Sequence, residues 1–330
     1  MRLMRAPEFW QPGHTVLPGL LSPLSLLYDA SGRMRRAMVR PARLTIPVVC
    51  VGNLVAGGAG KTPAALAIGA YLASKGRAVH FLSRGYGGSL AGPVRVDPTK
   101  HTAQQVGDEP LLLAAQAPAW VAHDRRLGGR AAAAAGAGVI VMDDGFQNPS
   151  LHKDVSFLVI DAGFGLGNGR IIPAGPLREA PATGLRRADA VVYIGDPGDA
   201  AARPTPQVIT GATLLHARLE PGPEASDLAE SAVVAFAGIG RPEKFFASLR
   251  ETGCDLKAVH GFPDHHVFAP EDIAPIVEQA AELDAVAITT AKDVVRLPED
   301  ARNMIQVFHV GLEWDALDDI SALVRRAVAG

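Results

Sequence analysis

The feature that most constrains this chain is a run of glycines between two apolar stretches. Residues 47–51 read as a short buried strand, and Gly57-Gly58-Ala59-Gly60-Lys61-Thr62 follows it directly. Residues 64–72 then continue as an apolar helix, with Gly76 placed to end it. A strand, a glycine-rich turn ending in Lys-Thr and a helix form a loop whose backbone N–H groups can turn onto phosphate oxygens, assisted by the helix dipole. Lys61 is then placed to reach the β- and γ-phosphates and the Thr62 hydroxyl to ligate Mg2+.

The loop departs from the usual G-x-x-x-x-G-K-[ST] spacing, which wants glycine where this chain has Val55. Its glycines match a variant loop of ATPases that partition DNA or position division sites, although the lysine opening that variant is here Ala56. From residue 46 onward, strand and helix alternate. Strands are expected at 47–51, 78–82, 139–142, 156–160 and 190–194, short and apolar throughout, as in a parallel sheet covered on both faces. A Pro-, Ala- and Gly-rich stretch at 200–230 reads as a linker. Alternation then resumes with strands at 233–237, 256–260, 286–289 and 305–310 and helices at 243–252, 270–283 and 316–328. The fold class expected is α/β: a P-loop NTPase-type α/β/α sandwich, a second, smaller α/β unit and an N-terminal amphipathic helical region. The domains expected are 1–43, 44–217 and 218–330, with the last helix able to pack back on the first α/β unit.

The N-terminus differs in charge from everything after it. Residues 1–43 hold seven arginines and two acids, a net +5, whereas the rest of the chain carries −7. The total of −2 argues against a uniformly basic nucleic-acid binder. Ser22-Pro23 reads as an N-cap followed by Pro at the first helical position. Beyond it, Leu24, Leu27, Tyr28, Met34 and Met38 fall near one helical face, and Arg33, Arg36 and Arg40 lie towards the other. No run reaches the ~20 apolar residues that span a bilayer. A helix lying in an anionic membrane interface and a helix packed on its own domain are both open. Two cysteines, Cys50 and Cys254, exclude a disulfide scaffold or a cysteine zinc cluster, and no secretory signal pattern opens the chain, so a cytoplasmic setting is expected.

Other polar clusters sit where loops follow strands, the ligand edge of an open α/β sheet. Residues 139–142 run into Asp143-Asp144-Gly145-Phe146-Gln147, where the P-loop architecture places a carboxylate for Mg2+ or water, although many strands end in Asp. Ser83-Arg84-Gly85-Tyr86-Gly87-Gly88 offers an arginine in a flexible turn, and Arg125 and Arg126 are further candidates for phosphate contact. Asp108 and Glu109 stand at a helix start, where acids stabilise the first turn or do chemistry. Pro173-Ala174-Gly175-Pro176-Leu177-Arg178-Glu179 is a rigid loop holding a base beside an acid. In the second unit, Pro263-Asp264-His265-His266 follows a strand. Neighbours on an extended chain point apart and no further zinc-like ligands accompany them, so one histidine oriented by a carboxylate and moving a proton is the more economical reading. Thr289-Thr290-Ala291-Lys292-Asp293 either brings a lysine to an anionic substrate or is a solvated loop, and Gly238-Ile239-Gly240-Arg241-Pro242 is a βα turn.

Taken in order, these motifs resemble the tetraacyldisaccharide 4′-kinase family, the lipid A 4′-kinases of Gram-negative bacteria. The resemblance runs from Pro7–Trp10 through Gly52-Asn53, the loop ending GKTP, SRGYGG, VGDEP, DDGFQ, PAGPLRE and FPDHH to TAKD. It implies a peripheral protein on the cytoplasmic face of the inner membrane, probing no nucleic acid and acting as a monomer. Its implied reaction moves the ATP γ-phosphate to the 4′-hydroxyl of tetraacyldisaccharide 1-phosphate, giving lipid IVA, on two α/β/α units bridged by a two-stranded linker. Carried over, Asn53, Gly57, Gly58, Ala59, Gly60, Lys61, Thr62, Pro63, Arg84 and Arg125 would form the ATP site. Thr62, Asp143, Asp144, Gln147 and Glu179 would organise Mg2+, Asp108 would be the catalytic base assisted by His265, and Lys61 and Arg178 would stabilise the transferring phosphate. One departure is Asn148, where the family usually has a histidine; Asn can hydrogen-bond but cannot carry a proton charge, and it stays outside the catalytic set. Closure of the two units on substrate is the expected way to exclude water. The alternatives are a membrane-associated P-loop ATPase switch that recruits partners, against which Ala56 and the polar second unit argue, and a P-loop enzyme of a soluble metabolite, against which the basic amphipathic N-terminus argues.

Overall fold

The computed structural model describes residues 7–195 and 211–328. Among these, residues 7–101, 105–195, 211–219 and 312–328 form a larger unit, and 102–104 with 220–311 a smaller one. Residues 7–43, expected as a region apart, group with the larger unit, and so does the C-terminal segment.

The larger unit is a nine-stranded sheet of β1 (Val48–Gly52), β2 (Val79–Ser83), β3 (Val94–Arg95), β4 (Ala119–Val121), β5 (Val139–Asp143), β6 (Val155–Asp161), β7 (Ala190–Ile194), β8 (Thr213–Pro221) and β13 (Val310–Trp314). Their order is β13-β8-β7-β6-β1-β5-β2-β4-β3. The run from β8 to β4 is parallel, and β3 pairs antiparallel on β4. Every residue of β1, β2, β5, β6 and β7 is buried, as expected of strands covered on both faces. Helix Lys61–Ser74 packs on β1, β2 and β5, and helix Leu317–Val328 packs on β1 and β6. Because β1 lies between β5 and β6, the segments that follow β1 and β5 emerge side by side, the crevice where open α/β sheets bind ligands.

The smaller unit is a parallel sheet, ordered β10 (Asp255–Gly261), β9 (Ala232–Ala237), β11 (Val286–Thr290), β12 (Gln306–Phe308). Phe245, Phe246 and Leu249 of helix Pro242–Glu251 fill one face, and Ile273 and Ile276 of helix Pro270–Glu282 the other.

Three expectations need correction. The 200–230 stretch contains β8 and a 3-10 helix at Pro223–Leu228, while 196–210 lie outside the described residues. The strand expected at 305–310 divides into β12 and β13, which belong to different sheets. The N-terminal helix spans Val16–Met38 without a break, so Ser22 is interior rather than an N-cap, and its hydroxyl donates to the Pro18 carbonyl at 2.8 Å. On that helix Leu20, Leu24, Leu27, Met34 and Met38 are exposed, while Ser25 and Asp29 are buried. Arg33 pairs with Asp29 at 3.1 Å.

Candidate active site

At the end of β1 the chain passes Gly52, where any side chain would collide with Phe146, and enters the glycine loop through Asn53, which is fully buried. Asn53 Nδ2 donates to the Gly57 carbonyl at 3.4 Å, and Lys61 Nζ donates to the same oxygen at 3.2 Å. Helix Lys61–Ser74 begins as the loop ends, so its N-terminal amides face the loop. β5 delivers its two acids beside it. Thr62 Oγ1 donates to Asp143 Oδ2 at 3.0 Å, and Lys61 Nζ lies 3.9 Å from Asp144 Oδ1. Asp144 adopts a left-handed backbone with φ of 51°, a strained conformation for a non-glycine residue that turns the chain sharply at the strand end.

The 170–179 loop closes this cluster. Its backbone is tied to the segment after β1, since Ala56 N–H donates to the Pro176 carbonyl and Arg178 N–H to the Leu54 carbonyl. Arg178 Nη1 then reaches Asp144 Oδ1 at 2.8 Å. Glu179 is wholly buried and receives Arg187 Nη2 at 2.6 Å on each oxygen and Gln147 Nε2 at 3.2 Å. Gln147 Nε2 also donates to the Asn53 carbonyl at 2.8 Å. The Arg187 guanidinium stands 4.6 Å from the Phe146 ring.

Burial and charge set the protonation of the acids. Burial, reinforced by the Asp144 charge, pushes the Asp143 carboxyl up to about 7. Burial works against Asp144 too, but the Lys61 and Arg178 charges outweigh it and hold that carboxyl below its usual range. Burial lowers the Lys61 ammonium, against the pull of Asp144. The pair therefore holds one charge on Asp144, and Asp143 stands ready to ionise when a cation approaches.

Asp108 opens helix Asp108–Gln116 behind Gly107, whose φ of 89° and contact with the Tyr86 carbonyl require glycine. That contact seats the SRGYGG turn on the GDEP turn, so Arg84 and Asp108 come from packed neighbours. The charge of Glu109 is felt by Lys61 and Asp143, which places this helix start beside the phosphate loop. Arg125 is buried; its Nη1 donates to the Ala122 carbonyl at 2.6 Å, and burial with the nearby Arg84 charge lowers it to about 10. Arg126 faces away, capping its own helix through Asp124.

In the smaller unit a buried ion pair organises the βα turns. Asp293 Oδ1 accepts from Arg296 Nη2 at 2.6 Å and from Gly238 N–H at 3.0 Å, while Arg296 Nη2 also donates to the Gly238 carbonyl at 3.0 Å. The same carbonyl accepts from His265 N–H at 3.0 Å, where φ is 58°. His266 carries the carboxylate partner, Asp272 at 2.9 Å, and packs between Phe262 and Phe268, whereas His265 lies 3.9 Å from Asp264.

The match of this geometry to known proteins is specific. The model of the family described as tetraacyldisaccharide-1-P 4′-kinase fits residues 17–328. The chain belongs to that family. A tetraacyldisaccharide 4′-kinase of Rhodospirillum rubrum is 55% identical over 99% of both chains, and one of Rhodospirillum centenum is 50% identical over 99% of this chain and 98% of its own. A crystal structure of LpxK from Aquifex aeolicus in complex with ATP covers 95% of this chain and 100% of its own, at 27% identity and a TM-score of 0.75.

Within this family member, the structure brings Asn53, Gly57, Lys61, Thr62, Asp143, Asp144, Gln147, Arg178 and Glu179 into one network. Asp108 and Arg84 border it in the larger unit, and His265 lies in the smaller unit. Glu179 does not fit a metal ligand, since Arg187 occupies both its oxygens; it holds Gln147. The sequence alone points to no role for Arg187 or Arg296, puts Arg36 on the outward arginine face and gives Asp293 only as part of the 289–293 loop. Asp293 and Arg296, three apart and opposite in charge after a strand, were the only ones with a local signal.

Proposed function

We propose that this chain is an ATP-dependent lipid kinase transferring the γ-phosphoryl group of ATP to the 4′-hydroxyl of tetraacyldisaccharide 1-phosphate, working peripherally on the cytoplasmic face of the inner membrane. The observation that carries the reading is the Lys61–Asp144–Arg178 chain beside Thr62–Asp143 at the mouth of a glycine loop, in a chain of this family. The loop amides and Lys61 receive the β- and γ-phosphates, and Arg178 adds charge where phosphate charge is redistributed. Arg84 and Arg125 lie along the same edge.

The acids fit a divalent cation: Asp143 Oδ1 is buried with no hydrogen-bond partner, and its carboxyl ionises fully at neutral pH only against added positive charge. Thr62, Asp143 and Asp144 would hold Mg2+, with phosphate oxygens and water completing its shell. When bound, the ion supplies charge neutralisation on the phosphates. A sugar hydroxyl is a poor nucleophile, so Asp108 accepts its proton as the O–P bond forms, with His265 as the assisting group that the family pattern assigns. Apolar residues along the exposed face of helix Val16–Met38 suit an interfacial helix, and no helix among the described residues is long and apolar enough to cross a membrane.

The test is direct. Purified protein with Mg-ATP and tetraacyldisaccharide 1-phosphate in mixed micelles should yield the bisphosphorylated lipid, and no product where a known kinase turns over overturns the reading. Asp108→Ala should lower kcat by roughly a hundredfold or more, the usual scale for a general base, with ATP affinity little changed. An equal loss of nucleotide binding would reassign Asp108 to the nucleotide site.

A further inference from the structure

The 170–179 loop presents Arg178 to Asp144 and Glu179 to Gln147, yet it has little regular structure of its own. The N-terminal segment holds it. Ser25, buried on helix Val16–Met38, donates its hydroxyl to the Ile171 carbonyl at 2.7 Å and accepts from Ala174 N–H at 3.2 Å. Arg170 Nη1 donates to Ser22 Oγ at 2.7 Å, and Trp10 Nε1 donates to the Pro173 carbonyl at 3.1 Å. About three turns further along the same helix face, Arg36 Nη1 stands 3.5 Å from Glu179 Oε2. Sequence reading set Arg36 against lipid head groups. The structure turns it inward, to a carboxylate with no solvent exposure.

A buried carboxylate is tolerated only when charge and hydrogen bonds compensate it. Arg187 supplies one compensating charge to Glu179 and Arg36 the second. From Glu179 the connection runs through Gln147 to the Asn53 carbonyl, and Asn53 in turn bonds Gly57 of the phosphate loop. Leu17, Leu20, Leu24 and Leu27 of the same helix are exposed.

We propose that helix Val16–Met38 is a working part of the phosphate site as well as a membrane contact. Ser25 and Arg36 are positioning residues that hold the 170–179 loop, so that Arg178 and Gln147 stand at the glycine loop. The proposal deepens the lipid-kinase reading and rests on it. Neither side chain lies on the exposed apolar face, so their loss separates positioning from anchoring.

The experiment uses the full chain in the mixed-micelle assay, with co-sedimentation on phosphatidylglycerol vesicles and titration with a fluorescent ATP analogue. Ser25→Ala and Arg36→Ala should each lower kcat roughly tenfold and weaken the nucleotide several-fold, the scale of a modest displacement of positioning groups. Lipid KM and vesicle binding should stay within about twofold of wild type, and Arg36→Lys should restore part of kcat. The exposed Arg35→Ala should do the reverse, weakening vesicle binding and sparing kcat. All rates are taken well below each variant's melting temperature, so lost stability alone leaves them unchanged. Unchanged kcat in both Ser25→Ala and Arg36→Ala, or loss only in step with vesicle binding, overturns the proposal. If wild type makes no bisphosphorylated lipid, the kinase reading fails by itself, and positioning is judged by the titration, where unchanged affinity in both variants overturns it.

Discussion

Asp143 ties protonation at this site to the protein's stability. Its carboxyl sits at about 7 when folded and near the ordinary ~3.9 when unfolded, so the folded chain binds that proton more tightly. The stability this provides is complete below the ordinary value and is lost as pH rises towards 7. Asp143→Asn removes the titration. The nucleotide-free variant should therefore be more stable than wild type at pH 8 by roughly 1–3 kcal/mol, with the two converging near pH 4. Thermal melts across that range check it, and a variant that is less stable at pH 8 refutes the assignment. In the same variant turnover with Mg-ATP should fall by roughly a hundredfold or more, because the buried charge facing the cation is gone. Lys61, Thr62, Asp143 and Asp144 were legible in the sequence because their spacing follows from backbone geometry at two strand ends. Arg36 and Arg187 were not. Glu179 is distant in sequence from Arg36 and stands at no helical or strand spacing from Arg187, and nothing in a basic helical face tells an inward arginine from an outward one.

At the scale of elements, the site depends on how closely β1 and the turn after β5 approach. A Cβ on Gly52 would lie 2.5 Å from the Phe146 Cβ and 3.1 Å from its backbone nitrogen, and Phe146 is itself almost wholly buried. Neither side can yield without moving the turn that carries Asp144 and Gln147 on either side of Gly145-Phe146. Gly52→Ala should cost about 1–3 kcal/mol of stability, the range for overpacking a core, and should weaken nucleotide binding as well. Denaturant unfolding and nucleotide titration read both quantities; wild-type values in the titration would show that the approach is not what sets the loop. Most strands legible in the sequence were those buried on both faces, where an apolar run leaves no other reading; β10, read at 256–260, is the exception, with exposed and half-buried residues alternating along it. β3 and β4 are too short for a pattern, and β8 lies in a stretch whose prolines and glycines mask it. β12 and β13 form one apolar run in sequence, and only their separate sheets divide it.

For the whole molecule, the uneven charge matters because of where the structure puts the apolar residues beside it. The +5 of residues 1–43 accompanies a helix whose Leu20, Leu24 and Leu27, four and three residues apart, are 73%, 53% and 68% exposed. Apolar side chains on one helical face, with arginines nearby, combine insertion at the acyl boundary with attraction to anionic head groups. Arg33 and Arg36 are engaged with Asp29 and Glu179, which leaves the exposed Arg35, Arg40 and Arg43 for the head groups, the first two nearest the apolar face. Two contributions with different physics can be told apart. Replacing Leu20, Leu24 and Leu27 with serine should reduce binding to anionic and neutral vesicles alike, since burial of apolar area does not depend on head-group charge. Replacing Arg35 and Arg40 with glutamine should release the protein from anionic vesicles only, with the difference vanishing at roughly 1 M salt, where the screening length is about 3 Å. Ser25 and Arg36 are intact in both variants, so turnover of a substrate made soluble by short acyl chains should match wild type. Equal loss on that substrate would mean that the exposed face, too, shapes the phosphate site.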